Sequence, residues 1–256
     1  MIVMPHWSAS RFMLFDLCAA SFKERYVDGI LEPPTPALYF GQAVHQGLEA
    51  HYNGDDGMPA FRRAWKQFAA ELEVPAREAA RLAATGLQLL DQVLDLGLSG
   101  VPERGFSLDT NLELGAPIVG AIDLWDVDGA SPVIYDFKTT RGCWSQARAQ
   151  AEVWQPLLYT YAAWSETGRW PAFEYIVLNR VTGTLERFRR QWTEDEFLEQ
   201  LNAMWLRACQ ISVAVAQGRF ACSGKHGACF ECGSSWSHDH DCDATPHSKR
   251  IRVMST

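Results

Sequence analysis

The sequence predicts a mixed α/β (α+β) chain in which a central mixed sheet is flanked by helices. Through roughly the first hundred residues, apolar positions recur at helical spacing. After Gly105 the pattern changes to short extended runs punctuated by Gly and Pro. A helical stretch at 145–167 then separates three such runs from two more, an order that gives a mixed sheet with helices on its faces. At 256 residues and 47% hydrophobic, the chain has enough apolar surface to bury a full core.

Ser8 reads as an N-cap, and Phe12, Phe15 and Phe22 follow near helical spacing, so a first helix is expected over 10–27. The Pro-rich stretch 32–36 ends it. A second helix over 37–52 carries Phe40, Val44 and Leu48 on one face, with 53–57 as its exit loop. Two further helices are expected over 59–72 and 75–98. Strands over 106–114, 118–127 and 132–139 form an antiparallel meander. The helix at 145–167 follows, then strands 173–179 and 184–190 around the turn 180–183, and Thr193 opens a last helix ending near Gly218. The expected division is a helical region at 1–100 packing on a core at 101–218, followed by a cysteine-rich segment at 219–256.

A formal net charge of −8 argues against bulk attraction to nucleic acid, because phosphate neutralisation needs clustered Lys and Arg. Any such contact must be local. The patches available are Arg62, Arg63 and Lys66; Lys138, Arg141 and Arg148; and Lys249, Arg250 and Arg252, each of which also reads as a solvated face. No run reaches the roughly 18 apolar residues of a membrane span. The first residues lack signal-peptide order, so the expected location is cytoplasmic.

Asp123, in Gly120-Ala-Ile-Asp123, and the pair Asp136 and Lys138, in Ile134-Tyr-Asp-Phe-Lys138, carry the chemistry. Strand side chains alternate, so Asp136 and Lys138 share a face while Phe137 turns to the core. A hairpin around 128–130 sets Asp123 opposite or diagonal to Asp136. Two carboxylates beside an ammonium suit phosphodiester hydrolysis: the carboxylates hold Mg²⁺ or Mn²⁺ and the lysine orients or activates the attacking water. A surface strand with a salt bridge is the competing reading. His45 lies one helical turn after Gly41, a residue that lets another backbone or a ligand approach closely. Gln155 and Tyr159, four apart, share one helix face.

Seven cysteines and no export signal make metal ligation or buried thiols better readings than disulfides. Cys229 and Cys232 form a Cys-x-x-Cys pair, with Cys222 before and Cys242 after. Such a pair grips one metal. Structural zinc and an iron-sulfur cluster both suit it, with His226, His238, His240 and His247 as nearby alternative ligands. Cys143 and Cys209 read as buried small hydrophobes.

These elements, in order, resemble the RecB-like exonuclease branch of the PD-(D/E)XK superfamily, which includes the AddB nuclease domain and CRISPR-associated RecB-like exonucleases. The resemblance rests on Ser8-Ala-Ser-Arg11 leading to Cys18, Gly41 to Glu49 with His45, Gly120 to Asp123, Asp136 to Thr139, and Gln155 to Tyr159. It implies a restriction-endonuclease-like core and a Mg²⁺- or Mn²⁺-dependent deoxyribonuclease acting on single-stranded DNA or DNA ends. His45, Asp123, Asp136 and the Phe137 carbonyl would ligate the ion, Lys138 would be catalytic, and Gln155 and Tyr159 would contact DNA or steady the site. It further implies a 4Fe-4S cluster on Cys18, Cys229, Cys232 and Cys242, with Cys222 as alternate and zinc as the other candidate. Recombination, repair or CRISPR-type processing is the implied setting, with helicase or recombination proteins as partners. The competing functions are a non-catalytic DNA-end-binding partner in a larger complex and a zinc-stabilised interaction domain.

Overall fold

Helix caps and strand alternation account for most of the elements in the computed structural model, which describes residues 1–31, 33–129 and 131–222. In chain order these are α1 (Ala9–Leu17), α2 (Ala19–Tyr26), α3 (Pro36–Tyr52), α4 (Gly57–Glu71), α5 (Ala76–Leu94), β1 (Val101–Leu108), α6 (Asn111–Leu114), β2 (Ile118–Asp126), β3 (Val133–Thr140), α7 (Gln146–Ala151), α8 (Trp154–Thr167), β4 (Ala172–Asn179), β5 (Thr184–Arg190) and α9 (Glu194–Ala216). They fall into two units. The described part of one is 1–31, 110–116 and 206–222; the other is 33–109 and 117–205.

The larger unit holds a five-stranded sheet in the order β1-β2-β3-β4-β5. β1, β2 and β3 pair antiparallel, β3 and β4 pair parallel, and β4 and β5 pair antiparallel. The sheet is therefore mixed, as the element order predicts. A parallel neighbour requires a long crossover, which α7 and α8 supply. One face of the sheet presents Leu124, Val133, Tyr135, Phe137, Ile176 and Leu178 to the apolar faces of α3, α4 and α5 in a continuous core. Phe61 of α4 lies at the centre of that core, fully buried, and Gly86 of α5 leaves the space its ring occupies. On the other face α8 lies against β1 and β4.

Three boundaries differ from the sequence expectation, each for a local reason. The first helix is two: Cys18 is extended (φ −160°, ψ 109°), ending α1 and preceding α2. The helix expected over 145–167 is also two, interrupted at Glu152 and Val153, and Pro156 is accommodated in the first turn of α8, where a missing N–H costs little. The first strand begins at Val101 rather than Phe106, and its expected end forms α6, closed by left-handed Gly115 (φ 73°). The Thr193 start holds: Glu196 N–H donates to Thr193 Oγ1 and Thr193 N–H to the Glu196 carboxylate, a reciprocal cap.

The smaller unit is built on aromatic packing. Trp7 stacks on Phe12 at 5.0 Å, Phe15 meets Phe22 edge-on at 5.3 Å, and Phe22 stacks on Phe220. Trp7 Nε1 donates to the Leu114 carbonyl at 3.2 Å, satisfying the one polar atom that burying this indole creates. Ser8 caps α1 as expected, accepting from Arg11 N–H. No helix among the described residues is long and apolar enough to cross a membrane.

Candidate active site

β3 places Asp136 and Lys138 on one face and sends Phe137 to the core, where it is 2% exposed. The β1–β2 and β2–β3 registers do the rest. β2 and β3 are paired from Asp126↔Val133 to Leu124↔Tyr135, and continuing that register sets Asp123 opposite Asp136. The ladder stops there. Instead the Asp123 side chain bridges the gap, Oδ2 accepting the Phe137 N–H at 2.8 Å. The carboxylate thus ties the two strands together where their backbones part.

His45 reaches the same place from α3. Its Nε2 lies 2.9 Å from the Phe137 carbonyl oxygen and its Nδ1 3.8 Å from Asp123 Oδ2. One ring nitrogen thus faces the β3 backbone and the other faces the Asp123 carboxylate. The glycine one turn earlier, Gly41, faces β3: a Cβ there would stand 2.9 Å from Thr139 Oγ1, and that side chain would have to shift.

Asp136 is fully buried and holds Lys138 Nζ at 2.6 Å. Gln155 joins the pair from α8: Oε1 accepts from Lys138 at 2.8 Å, while Nε2 donates to Asp136 Oδ1 and, at 3.0 Å, to the Tyr159 hydroxyl. Burial pushes the Asp136 carboxyl well above the ordinary range, and Lys138 opposes that shift without cancelling it. For Lys138, burial lowers and the Asp136 and Asp123 charges raise; the charges win and the ammonium is held. Burial, reinforced by Asp136, also raises the Tyr159 hydroxyl, which therefore stays neutral.

All the residues expected at the nuclease site are brought together: His45, Asp123, Asp136, the Phe137 carbonyl, Lys138, Gln155 and Tyr159. A further carboxylate, which the sequence pattern does not mark, stands beside them. Among the described residues, His45, Glu103 and Asp123 each offer a donor atom within 4.8 Å of the others. Glu103 lies on β1 in Val101-Pro-Glu-Arg-Gly105, whose Pro and Gly conceal a strand. An earlier strand start, with β1 antiparallel to β2, is the signal that finds it. Its backbone is left-handed (φ 47°), a conformation costing a non-glycine residue about 1–2 kcal/mol. Burial, with Asp123 and Glu49 nearby, raises its carboxyl, and His45 opposes the shift. The donor chemistry, one imidazole and two hard carboxylates, fits Mg²⁺ or Mn²⁺.

The cysteine expectations fare unevenly. Cys18 is 1% exposed and packs with Ala20, and Cys222 packs against them within the smaller unit. Cys229, Cys232 and Cys242 lie outside the described residues. Cys143 is exposed and Cys209 partly exposed, so neither is the buried apolar filler expected. Cys143 sits in the bend following β3 and Cys209 on a partly solvated flank of α9.

A mixed sheet whose strands part around paired carboxylates, an imidazole and an ammonium has the makings of a cation-assisted hydrolase. The chain belongs to the PD-(D/E)XK nuclease superfamily, whose family model matches residues 6–237. Among solved structures it is similar to a provisionally named exonuclease from Eubacterium rectale, with a TM-score of 0.59 at 13% identity, covering 84% of this chain and 82% of that one. That likeness is one of fold. SSO0001 matches at a TM-score of 0.34 and 12% identity over 79% of this chain and 84% of its own, too low a score to carry argument. No curated protein matches.

Proposed function

We propose that this protein is a Mg²⁺- or Mn²⁺-dependent deoxyribonuclease of the RecB-like branch, an exonuclease on single-stranded DNA or DNA ends in recombination, repair or CRISPR-type processing in the cytoplasm. The observation that carries it is the Asp136–Lys138 pair at 2.6 Å, set beside Asp123, which bonds the next residue's N–H. A plain surface salt bridge needs neither full burial of its carboxylate nor a glutamine bridging both partners.

In this reading His45, Asp123, Asp136 and the Phe137 carbonyl would hold the ion, which would supply polarisation of the phosphate and offset its developing charge. Asp136 and Gln155 fix the Lys138 ammonium, which donates to the phosphate and to the incoming water's oxygen. Tyr159, as a neutral hydroxyl, holds Gln155 and faces the DNA. The acidic net charge requires that DNA be gripped locally, at the site, rather than by a general field. Exonuclease polarity aside, this is the activity the resemblance implies, and the Eubacterium rectale protein's name is in keeping with it.

The cysteines form a second part of the reading. Cys18, Cys229, Cys232 and Cys242, with Cys222 as alternate, hold a 4Fe-4S cluster that staples the first helices to the tail. It is supported by the burial of Cys18 at the break between α1 and α2 and by Cys222 packing beside it. Thiolates are the donors such a cluster takes. Iron and acid-labile sulfide in the purified protein are the expected finding; stoichiometric zinc without either would replace the cluster by a zinc site.

The nuclease reading is tested on end-labelled single- and double-stranded DNA. Short labelled products with Mg²⁺ or Mn²⁺, and intact DNA with chelator, are expected. Intact DNA under every condition would remove the proposal.

A further inference from the structure

Glu103 is held where an ordinary strand residue would not be. The β1–β2 register runs Val101↔Trp125, Pro102↔Leu124, then Arg104↔Ile122, so Glu103 falls opposite Asp123 at the one position missing from the ladder. The chain is left-handed there, a conformation that glycine would adopt without penalty. Its carboxylate takes no hydrogen bond or ion pair from any described residue, yet shares a 4.8 Å neighbourhood with donor atoms of His45 and Asp123. Two carboxylates set directly opposite one another repel, and a cation shared with the imidazole would relieve that repulsion.

Asp136 is absent from the trio of close donors: its Oδ1 accepts from Gln155, while its buried Oδ2 has the Lys138 ion pair at 2.6 Å and no hydrogen bond. We infer that Glu103 is a protein ligand of the divalent cation, completing with His45 and Asp123 a three-donor set that the Asp-x-Lys pattern does not contain. The inference rests on the nuclease reading and deepens it. Glu103 supplies a further charged oxygen from β1, beside Asp136, which also holds Lys138. At this left-handed position the Glu103 carboxylate lies within 4.8 Å of donor atoms from Asp123 on β2 and His45 on α3.

Direct titration of the whole chain with Mn²⁺, followed by electron paramagnetic resonance or calorimetry, tests it without reference to activity. Glu103→Gln is expected to weaken Mn²⁺ binding more than about 100-fold, beyond the roughly 10–100-fold that loss of an outer-shell partner produces. Glu49→Gln removes an equal charge from the same neighbourhood, on an exposed residue outside the trio, and is expected to change binding less than 3-fold, as a screened surface charge does. Glu103→Gly, which relieves the backbone, is expected to keep or raise the cation-free melting temperature while weakening Mn²⁺ as Glu103→Gln does. Equal effects of Glu49→Gln and Glu103→Gln would reduce Glu103 to a distant charge and overturn the inference. So would unchanged binding in Glu103→Gly. Loss of binding in Asp123→Asn with none in Glu103→Gln would overturn it while sparing the nuclease reading, whereas a wild type that takes up no Mn²⁺ would remove both.

Discussion

Lys138→Ala lowers the rate of DNA hydrolysis by about 10²–10³-fold, the loss seen when one preorganised donor to a developing charge is deleted. The wild-type ammonium cannot drift: Asp136 and Gln155 hold it at 2.6 and 2.8 Å. The variant also changes how the cation-free protein responds to pH. Asp136 already has a raised folded-state pKa because of burial, and Lys138 is the largest influence opposing that rise. Removing it raises the carboxyl further. For a carboxyl raised on folding, stability is greatest below the unfolded value and is lost as pH climbs through the folded one. Lys138 is raised on folding by the Asp136 and Asp123 charges, so its own contribution is smallest where Asp136 is protonated and grows as that carboxyl ionises. The variant should therefore melt close to wild type near about pH 5 and fall behind it by about pH 8. Melting temperatures across that range, with rates on end-labelled DNA, check both parts; equal rates in the two proteins would deny Lys138 its place in the chemistry.

The sequence was legible where one rule decided the outcome. Period-two alternation was enough to put Asp136 and Lys138 on one face and Phe137 in the core, because β3 pairs without a break along β4 and its apolar side must be buried. Gln155 and Tyr159 were legible as helical neighbours, and they meet at 3.0 Å. The helix breaks were harder. Cys18 has neither proline nor glycine to mark it, and an apolar period that runs through 12, 15 and 22 conceals an extended residue between two short helices. Glu103 was hidden for the opposite reason: Pro102 and Gly105 are loop signals by composition, yet β1 lies at the edge of the sheet, where a proline's missing N–H costs nothing. A left-handed glutamate is a tertiary outcome. Nothing local prefers it, so only the paired strand reveals it.

Asp123→Asn separates catalysis from folding. Asparagine keeps the oxygen that accepts the Phe137 N–H, so the strands remain tied across the gap, and it removes one negative charge from beside Glu103 and Asp136. The cation-free protein should melt at the wild-type temperature or slightly above it. Hydrolysis should fall by more than about 100-fold, beyond the roughly 10–100-fold that loss of an outer-shell partner produces. Asp123→Ala is the contrasting variant, since it also leaves the Phe137 N–H without its acceptor at a part-buried position and should cost about 1–3 kcal/mol in addition. Cation-linked stabilisation gives an independent reading: at a Mn²⁺ concentration about 100 times its dissociation constant, wild type gains roughly 2.7 kcal/mol. The Asn variant at the same concentration should gain little of it. A full Mn²⁺-dependent shift in Asp123→Asn, with hydrolysis intact, would mean that the carboxylate joining β2 to β3 is a structural clasp and that the ion is held elsewhere.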